Sequence, residues 1–383
     1  HQILFLNIRD QQIKDENIYF LSWTVFASMC NLDYVIDNTV DSFIRKFDQS
    51  SNLVSKQEVT EIDWDDIDLT KSFCLGQGSF ALVRSVSLYN IPGKVFALKE
   101  LDLNYNLSVK CLIRAAMDIA LEARLLSSLN HDHIIKLHAT KRRTACTSIV
   151  DKKFPFFLIL DYLVETLDIR LQRWRREQNL LMKFKIRFLK ENDKLIERVE
   201  KAALGVAKGM EYLHSKGVIF RDLKPENIGF DVIGTIKIFD FGIARDLEYV
   251  RCVNDQLGFS GTPRYMANEI MIGSKYGLPV DVYSFGILLY EICTLKRPFP
   301  CIETISDFRN NVAIRGERPI SSIVKHSGLR SMTENCWCPI PDCRPSFAEI
   351  RAELESFINE QEIKQVDGYC FNSFFPSALT LGR

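Results

Sequence analysis

The stretch FRDLKPENIGF (220–230) sets an acid, Asp222, a lysine, Lys224, and an amide, Asn227, on one short polar segment. Together they could supply a general base, a positive charge for a phosphate and an oxygen ligand for a hard cation. Downstream, IKIFDFG (236–242) presents Asp240 after an apolar run, where a carboxylate can meet a cation that bridges phosphate oxygens. Far upstream, LGQGSFALV (75–83) carries Gly76 and Gly78, and the missing side chains let backbone approach a polyphosphate. Taken alone, that segment reads equally well as a plain hairpin with glycine at its turn. VFALK (95–99) ends an apolar run on Lys99, a position where a charge asks for a carboxylate partner and a phosphate. Glu122, in a helical stretch with Leu125, Leu126 and Leu129, is the acid that could face it.

These residues need elements to position them. Alternating and β-branched runs over 69–100 predict three antiparallel strands, and the apolar spacing of 108–129 predicts a helix. HIIKLHAT (133–140) and FPFFLILDYL (154–163) add strands to the same sheet, and beyond 165 the periodicity is chiefly helical, at 195–214, 279–295, 304–314, 328–336 and 346–360. The expectation is an α+β chain of two lobes, an antiparallel sheet with one main helix and then a mainly helical lobe, with a cleft between. Residues 1–60 show helix-like spacing without a motif, and the acidic run EVTEIDWDDID (58–68) reads as a solvated linker.

Composition narrows the function classes. Lys plus Arg and Asp plus Glu balance at 49 each in 383 residues, so no global field draws the chain to nucleic acid or membrane, and no nucleic-acid partner is expected. Eleven cysteines without regular spacing predict a reducing, intracellular and cytoplasmic setting, and Cys336, Cys338 and Cys343 lack a zinc spacing. YFLSWTVFASMC (19–30) is too short to span a bilayer and reads as a buried helix. The chain opens on His1 and is expected to be a fragment.

In order, LGQGSFALV, VFALK, Glu122, FRDLKPEN, DFG, GTPRYMANE (261–269), DVYSFG (281–286) and CRPSF (343–347) resemble a eukaryotic protein kinase over residues 69–358. The resemblance implies lobes at 69–160 and 164–358, an extension at 1–68 and a tail at 359–383. It implies ATP as phosphoryl donor, with Leu75, Gly76, Gln77, Gly78, Ser79, Val83 and Ala97 around the nucleotide. Lys99 would bind the α and β phosphates and pair with Glu122. Asp222 would accept the proton of the substrate hydroxyl and Lys224 would stabilise the transferring group. Asn227 and Asp240 would hold Mg2+, with Mn2+ as an alternative. Leu160 falls at the gatekeeper position, the backbone of Asp161 and Leu163 would bond the adenine edge, and Gly229 and Phe239 would lie beneath it. Lys224 and Thr262 fit serine/threonine acceptors on protein substrates, RYMANE and the ending ENCWCPIPDCRPSFAEI resemble the tyrosine-kinase-like group, and Arg344 would pair with Glu269. The alternative is a pseudokinase scaffold that binds partners without turnover.

The chain also departs from that pattern. Phe220 stands in place of histidine and is expected to stack under Phe241; Asn268 replaces proline before Glu269. Gly229 replaces a branched apolar residue, and the bulky Phe239 is expected to fill the gap. Arg221 implies a cationic pocket for a phosphorylated activation segment, with Ser260 the leading candidate. The basic stretch 170–190, with Trp174, Phe184 and Phe188 interleaved, is either a longer surface helix or a dock for an acidic partner or membrane surface.

Overall fold

The computed structural model describes residues 32–53, 59–78, 81–102, 109–141, 156–183, 189–252 and 257–374. Ser79, the apolar stretch 19–30, Phe184, Phe188 and the end of the tail, 375–383, lie outside the described residues.

The first lobe opens with α1 (Leu32–Ser50), β1 (Thr60–Ile62) and β2 (Ile67–Asp68). The meander β3 (Cys74–Gln77), β4 (Ala81–Leu88) and β5 (Ile91–Leu101) follows, then α2 (Val109–Ser128), β6 (Leu137–Lys141) and β7 (Phe157–Asp161). The sheet runs β1-β6-β7-β5-β4-β2, with β3 also on β4. Strand periodicity sorts β5 into two faces. Phe96 and Leu98 join Val86, Leu88 and Ile159 in a small outer core, while Ala97 belongs to the main core and Lys99 shares its side of the strand.

The acidic run expected to be a solvated linker is instead sheet. Thr60–Ile62 pairs in parallel with Ala139–Lys141, and Ile67–Asp68 pairs antiparallel with Ser87–Leu88. Ile62 and Ile67 are buried, Trp64 packs edge-on to Phe157 at 4.8 Å, and Lys141 neutralises Asp63. Three apolar side chains among the acids are enough to fix the segment, because each acid can stay at the surface or find a partner.

The second lobe contains β8 (Glu165–Thr166), α3 (Leu167–Lys183), α4 (Leu189–Arg198), a π-helical stretch Val199–Leu204 and α5 (Gly205–Ser215). The expected helix at 195–214 therefore starts earlier and carries a π segment. Four short strands follow: β9 (Val218–Ile219), β10 (Ile228–Phe230), β11 (Ile236–Ile238) and β12 (Arg245–Asp246). The helices α6 (Leu247–Cys252), α7 (Asn268–Met271), α8 (Pro279–Thr294), α9 (Ile305–Asp307), α10 (Ser327–Cys336) and α11 (Phe347–Phe374) complete the lobe. α8 is buried on nearly every side, as its largely apolar sequence requires, and its acids Asp281 and Glu291 are buried with it. One core runs through both lobes, passing from Leu126 and Leu137 to Phe220 and Phe241. Among the described residues no helix is long and apolar enough to cross a membrane.

Candidate active site

β5, α2 and the loop after β11 converge on Lys99. Its Nζ lies 2.7 Å from Glu122 Oε2 and 2.8 Å from Asp240 Oδ1. The other Glu122 oxygen accepts from the Phe241 N–H at 3.2 Å, so α2 holds the DFG backbone as well as the lysine. Burial by itself pushes Lys99 down, but the two carboxylates outweigh it and hold the ammonium well above its ordinary range. Burial raises the Glu122 carboxyl, against the pull of Lys99. Asp240 moves the other way: the Lys99 charge lowers it. Its side chain stays 48% exposed, facing the cleft.

The loop 220–227 supplies the second cluster. Asp222 Oδ1 accepts from Thr262 Oγ1 at 2.7 Å, and its Oδ2 accepts from Lys224 Nζ at 2.7 Å and Asn227 Nδ2 at 2.9 Å. Lys224 Nζ also donates to Thr262 Oγ1 at 2.8 Å. Asn227 commits its Nδ2 to two bonds with Asp222, which leaves Oδ1 as the side-chain atom able to meet a cation, and the Phe239 N–H donates to the Asn227 carbonyl at 3.0 Å. Asn227 and Asp240 thus offer hard oxygen donors from adjacent segments. Among the described residues no cluster of three or more His, Cys, Asp or Glu could hold a metal alone. That donor set fits a cation that shares its coordination with phosphate oxygens and water.

Two residues of these loops have left-handed backbones, Arg221 at φ 71° and Asp240 at φ 66°. Such conformations persist only where surroundings enforce them. Asp281, fully buried in α8, accepts from the Phe220 N–H at 2.9 Å, the Arg221 N–H at 2.7 Å and His214 Nε2 at 3.0 Å. The motif DVYSFG does not by itself give Asp281 this part; an acid inside a largely apolar helix is the signal for it, since burial demands donors. Phe220 meets Phe241 at 5.1 Å, in contact as expected but edge-on and not stacked. Arg344 and Glu269 form the expected pair, at 2.6 and 2.9 Å. Arg221 spends its guanidinium on neutral oxygens: Nε donates to the Ile243 carbonyl at 2.7 Å and Nη1 to Tyr276 Oη at 3.2 Å.

On the β3–β4 side of the cleft, the Gly78 N–H bonds the Ala81 carbonyl at 2.8 Å, and a Cβ added at Gly76 would meet nothing within 4 Å. Leu75 and Gln77 are exposed on the same strand, with Gln77 bonded to Asp102 at 2.6 Å. Val83 sits opposite Lys99, and Ala97 opposite Leu160. The Asp161 side chain accepts from His138 at 2.8 Å and the Lys136 N–H at 3.0 Å, with Lys237 at 3.4 Å. Burial alone would raise its carboxyl; those bonds and the Lys237 charge bring it down to about 2.

The space over Gly229 is taken by Leu163 and not by Phe239, contrary to expectation. A Cβ at Gly229 would fall 2.8 Å from Leu163 Cδ1 and 3.2 Å from the Glu165 carbonyl. The cause is topological: β8 pairs with β10, with Thr166 opposite Gly229, and the Val164 N–H bonds the Phe230 carbonyl at 2.8 Å. The residue entering β8 is therefore drawn across Gly229. Phe239 is half-buried against the main core. In the basic stretch, Arg170 and Arg173 both bind Glu165, and Arg175 binds Glu291 and the Leu295 carbonyl. Those three charges are used inside the fold.

Comparison with known proteins agrees with this geometry. The protein kinase domain family matches residues 69–354. The chain is similar to the dual specificity protein kinase shkC of Dictyostelium discoideum, 37% identical over 171 residues, covering 44% of this chain and 34% of that protein. It is similar to the serine/threonine/tyrosine-protein kinase HT1 of Arabidopsis thaliana, 33% identical over 240 residues, 62% of this chain and 54% of that protein. It is also 29% identical over 366 residues to the RGS domain-containing serine/threonine-protein kinase A of D. discoideum, 93% of this chain but 29% of that protein. The chain thus spans from 29% to 54% of the length of these relatives. The match covers both lobes and every loop that meets at the cleft, and the chain belongs to the protein kinase family, resembling its tyrosine-kinase-like members.

Proposed function

We propose that this chain transfers the γ-phosphoryl group of ATP to serine or threonine hydroxyls of protein substrates. The observation that carries the reading is Lys99 held at once by Glu122 and Asp240, which sets a cation and a cleft-facing carboxylate where a triphosphate can lie. Family membership implies ATP and a divalent cation; Mg2+ is the ion we favour, because Asn227 and Asp240 are few ligands and Mg2+ keeps several waters and phosphate oxygens. When bound, it neutralises charge on the phosphate oxygens.

The protein's own part is positioning and charge. Asp222 accepts a hydrogen bond from the substrate hydroxyl and takes its proton as the oxygen attacks the γ-phosphorus, whose bond to the β–γ bridging oxygen breaks so that ADP leaves. Lys224, within reach of Asp222 and Thr262, neutralises the moving phosphoryl group. Lys99 orients the α and β phosphates, and Gly76 and Gly78, without side chains, let the backbone approach them. Leu163 and Ala97 bracket the base, with Leu160 behind it. Thr262 against Asp222 and Lys224 supports the serine/threonine assignment. The relatives named as dual specificity kinases make tyrosine the competing acceptor.

Incubation of wild type and Asp222→Ala with γ-labelled Mg-ATP and a basic protein substrate, followed by phosphoamino-acid analysis, tests this. Label on serine and threonine that falls by ~10²–10⁴ in the variant is expected. Nucleotide binding without transfer by any preparation would point to a scaffold, and label on tyrosine would correct the acceptor.

A further inference from the structure

α1 lies ahead of the matched family region and yet touches both parts of the site that must stay in register. On one side, Asp48 forms an ion pair with Arg124 of α2, and Arg124 Nη2 donates to the Leu53 carbonyl at 3.1 Å. Arg124 stands on the helix that carries Glu122. On the other side, Ser51 Oγ donates to Asp246 Oδ2, while Asp246 Oδ1 caps α6 through the Glu248 N–H at 2.8 Å. Phe47, 1% exposed, packs on Tyr249 of α6 at 4.9 Å, and Phe43 meets the same ring edge-on at 6.2 Å. The backbone of Asp246 pairs with Val218, immediately before the loop of Asp222. One helix end therefore spans from α2 to the start of the activation segment. The Lys99–Glu122 pair is closed with α1 in this place.

Resting on the kinase reading, we propose that α1 is a positioning helix for phosphoryl transfer: through Asp48 and Phe47, and through Ser51 just past its end, it holds α2 and the segment 245–252 together, keeping Lys99, Glu122 and Asp240 assembled. Arg221, whose donors already meet Ile243 and Tyr276, is consistent with a segment ordered by contacts inside the chain.

The test uses the full chain and four variants. Phe47→Ala removes the packing on Tyr249, Ser51→Ala removes the hydroxyl that donates to Asp246 and accepts from the Leu53 N–H, Ser51→Thr restores a hydroxyl, and Lys46→Ala alters an exposed residue of the same helix. Steady-state transfer and hydrogen exchange are measured on each. Expected are a kcat about tenfold lower in Phe47→Ala with KM for ATP changed less than about threefold, a smaller loss in Ser51→Ala recovered in Ser51→Thr, and no change in Lys46→Ala. Faster exchange at 247–252 should accompany the losses. A kcat in Phe47→Ala and Ser51→Ala equal to or above wild type overturns the proposal. Should Phe47→Ala fail to fold, the two Ser51 variants decide. Should wild type transfer no phosphate, the activity reading falls by itself, and exchange at 247–252 then decides alone: unchanged protection in the variants overturns the role of α1.

Discussion

Lys99 is buried to 9% exposure and offset by two carboxylates, so its value is structural as well as chemical. Lys99→Met would leave Glu122, itself 1% exposed, without its counter-ion. Removing one partner of a buried pair costs about 3–5 kcal/mol, so urea denaturation should show a clearly lower midpoint along with lost transfer. At Gly229 the prediction runs through shape. Gly229→Leu forces a side chain into Leu163 and the Glu165 carbonyl, an overpacking of about 1–3 kcal/mol that should weaken nucleotide binding by titration calorimetry. Adding Leu163→Ala should recover part of that affinity. Equal affinity in all three proteins would remove Leu163 from the base site.

Among the elements, α7 and α8 brace the loops from below. Asn268 opens α7 at its first helical position, and its Oδ1 is buried without a hydrogen-bond partner among the described residues. The Ala267 backbone before it is already extended, at φ −66° and ψ 152°. Proline is well suited to such a position, because the first helical N–H needs no intrahelical acceptor. Asn268→Pro is expected to raise stability by about 1 kcal/mol and the melting temperature by a few degrees, read by calorimetry. A lower melting temperature would show that the amide does more than fill space. α8 contributes Asp281, which holds two successive N–H groups of the loop; Asp281→Asn keeps the volume and loses the charge, and transfer should fall with little change in ATP affinity.

At the scale of the molecule, the two lobes are joined where Asp161 meets His138, Lys136 and Lys237, the last from β11 of the second lobe. The Asp161 carboxyl is depressed from 3.8 to about 2 in the folded protein. A depressed carboxylate adds stability above its unfolded pKa and loses it as pH falls through the folded value. Asp161→Asn should therefore be less stable than wild type at neutral pH, with the gap closing between about pH 4 and pH 2 in denaturant titrations. A gap independent of pH would mean that the amide replaces every contact that matters.

The order of motifs from Gly76 to Arg344 determined the two lobes, the cleft and nearly every residue that meets there, because each motif pairs a residue type with a backbone need: glycine at a turn, an acid at a strand end, a lysine inside a sheet. Apolar periodicity located the helices and most strands for the same reason. What depended on contacts distant in sequence stayed hidden. The acidic run 58–68 became sheet because Ile62, Trp64 and Ile67 found a core supplied by β4, β6 and β7. Leu163 reached Gly229 because β8 pairs with β10. α1 acquired partners in Arg124 and Tyr249, which its own periodicity could not name. Local chemistry is written in neighbouring residues, whereas which surfaces meet is decided only when the whole chain buries its apolar area at once.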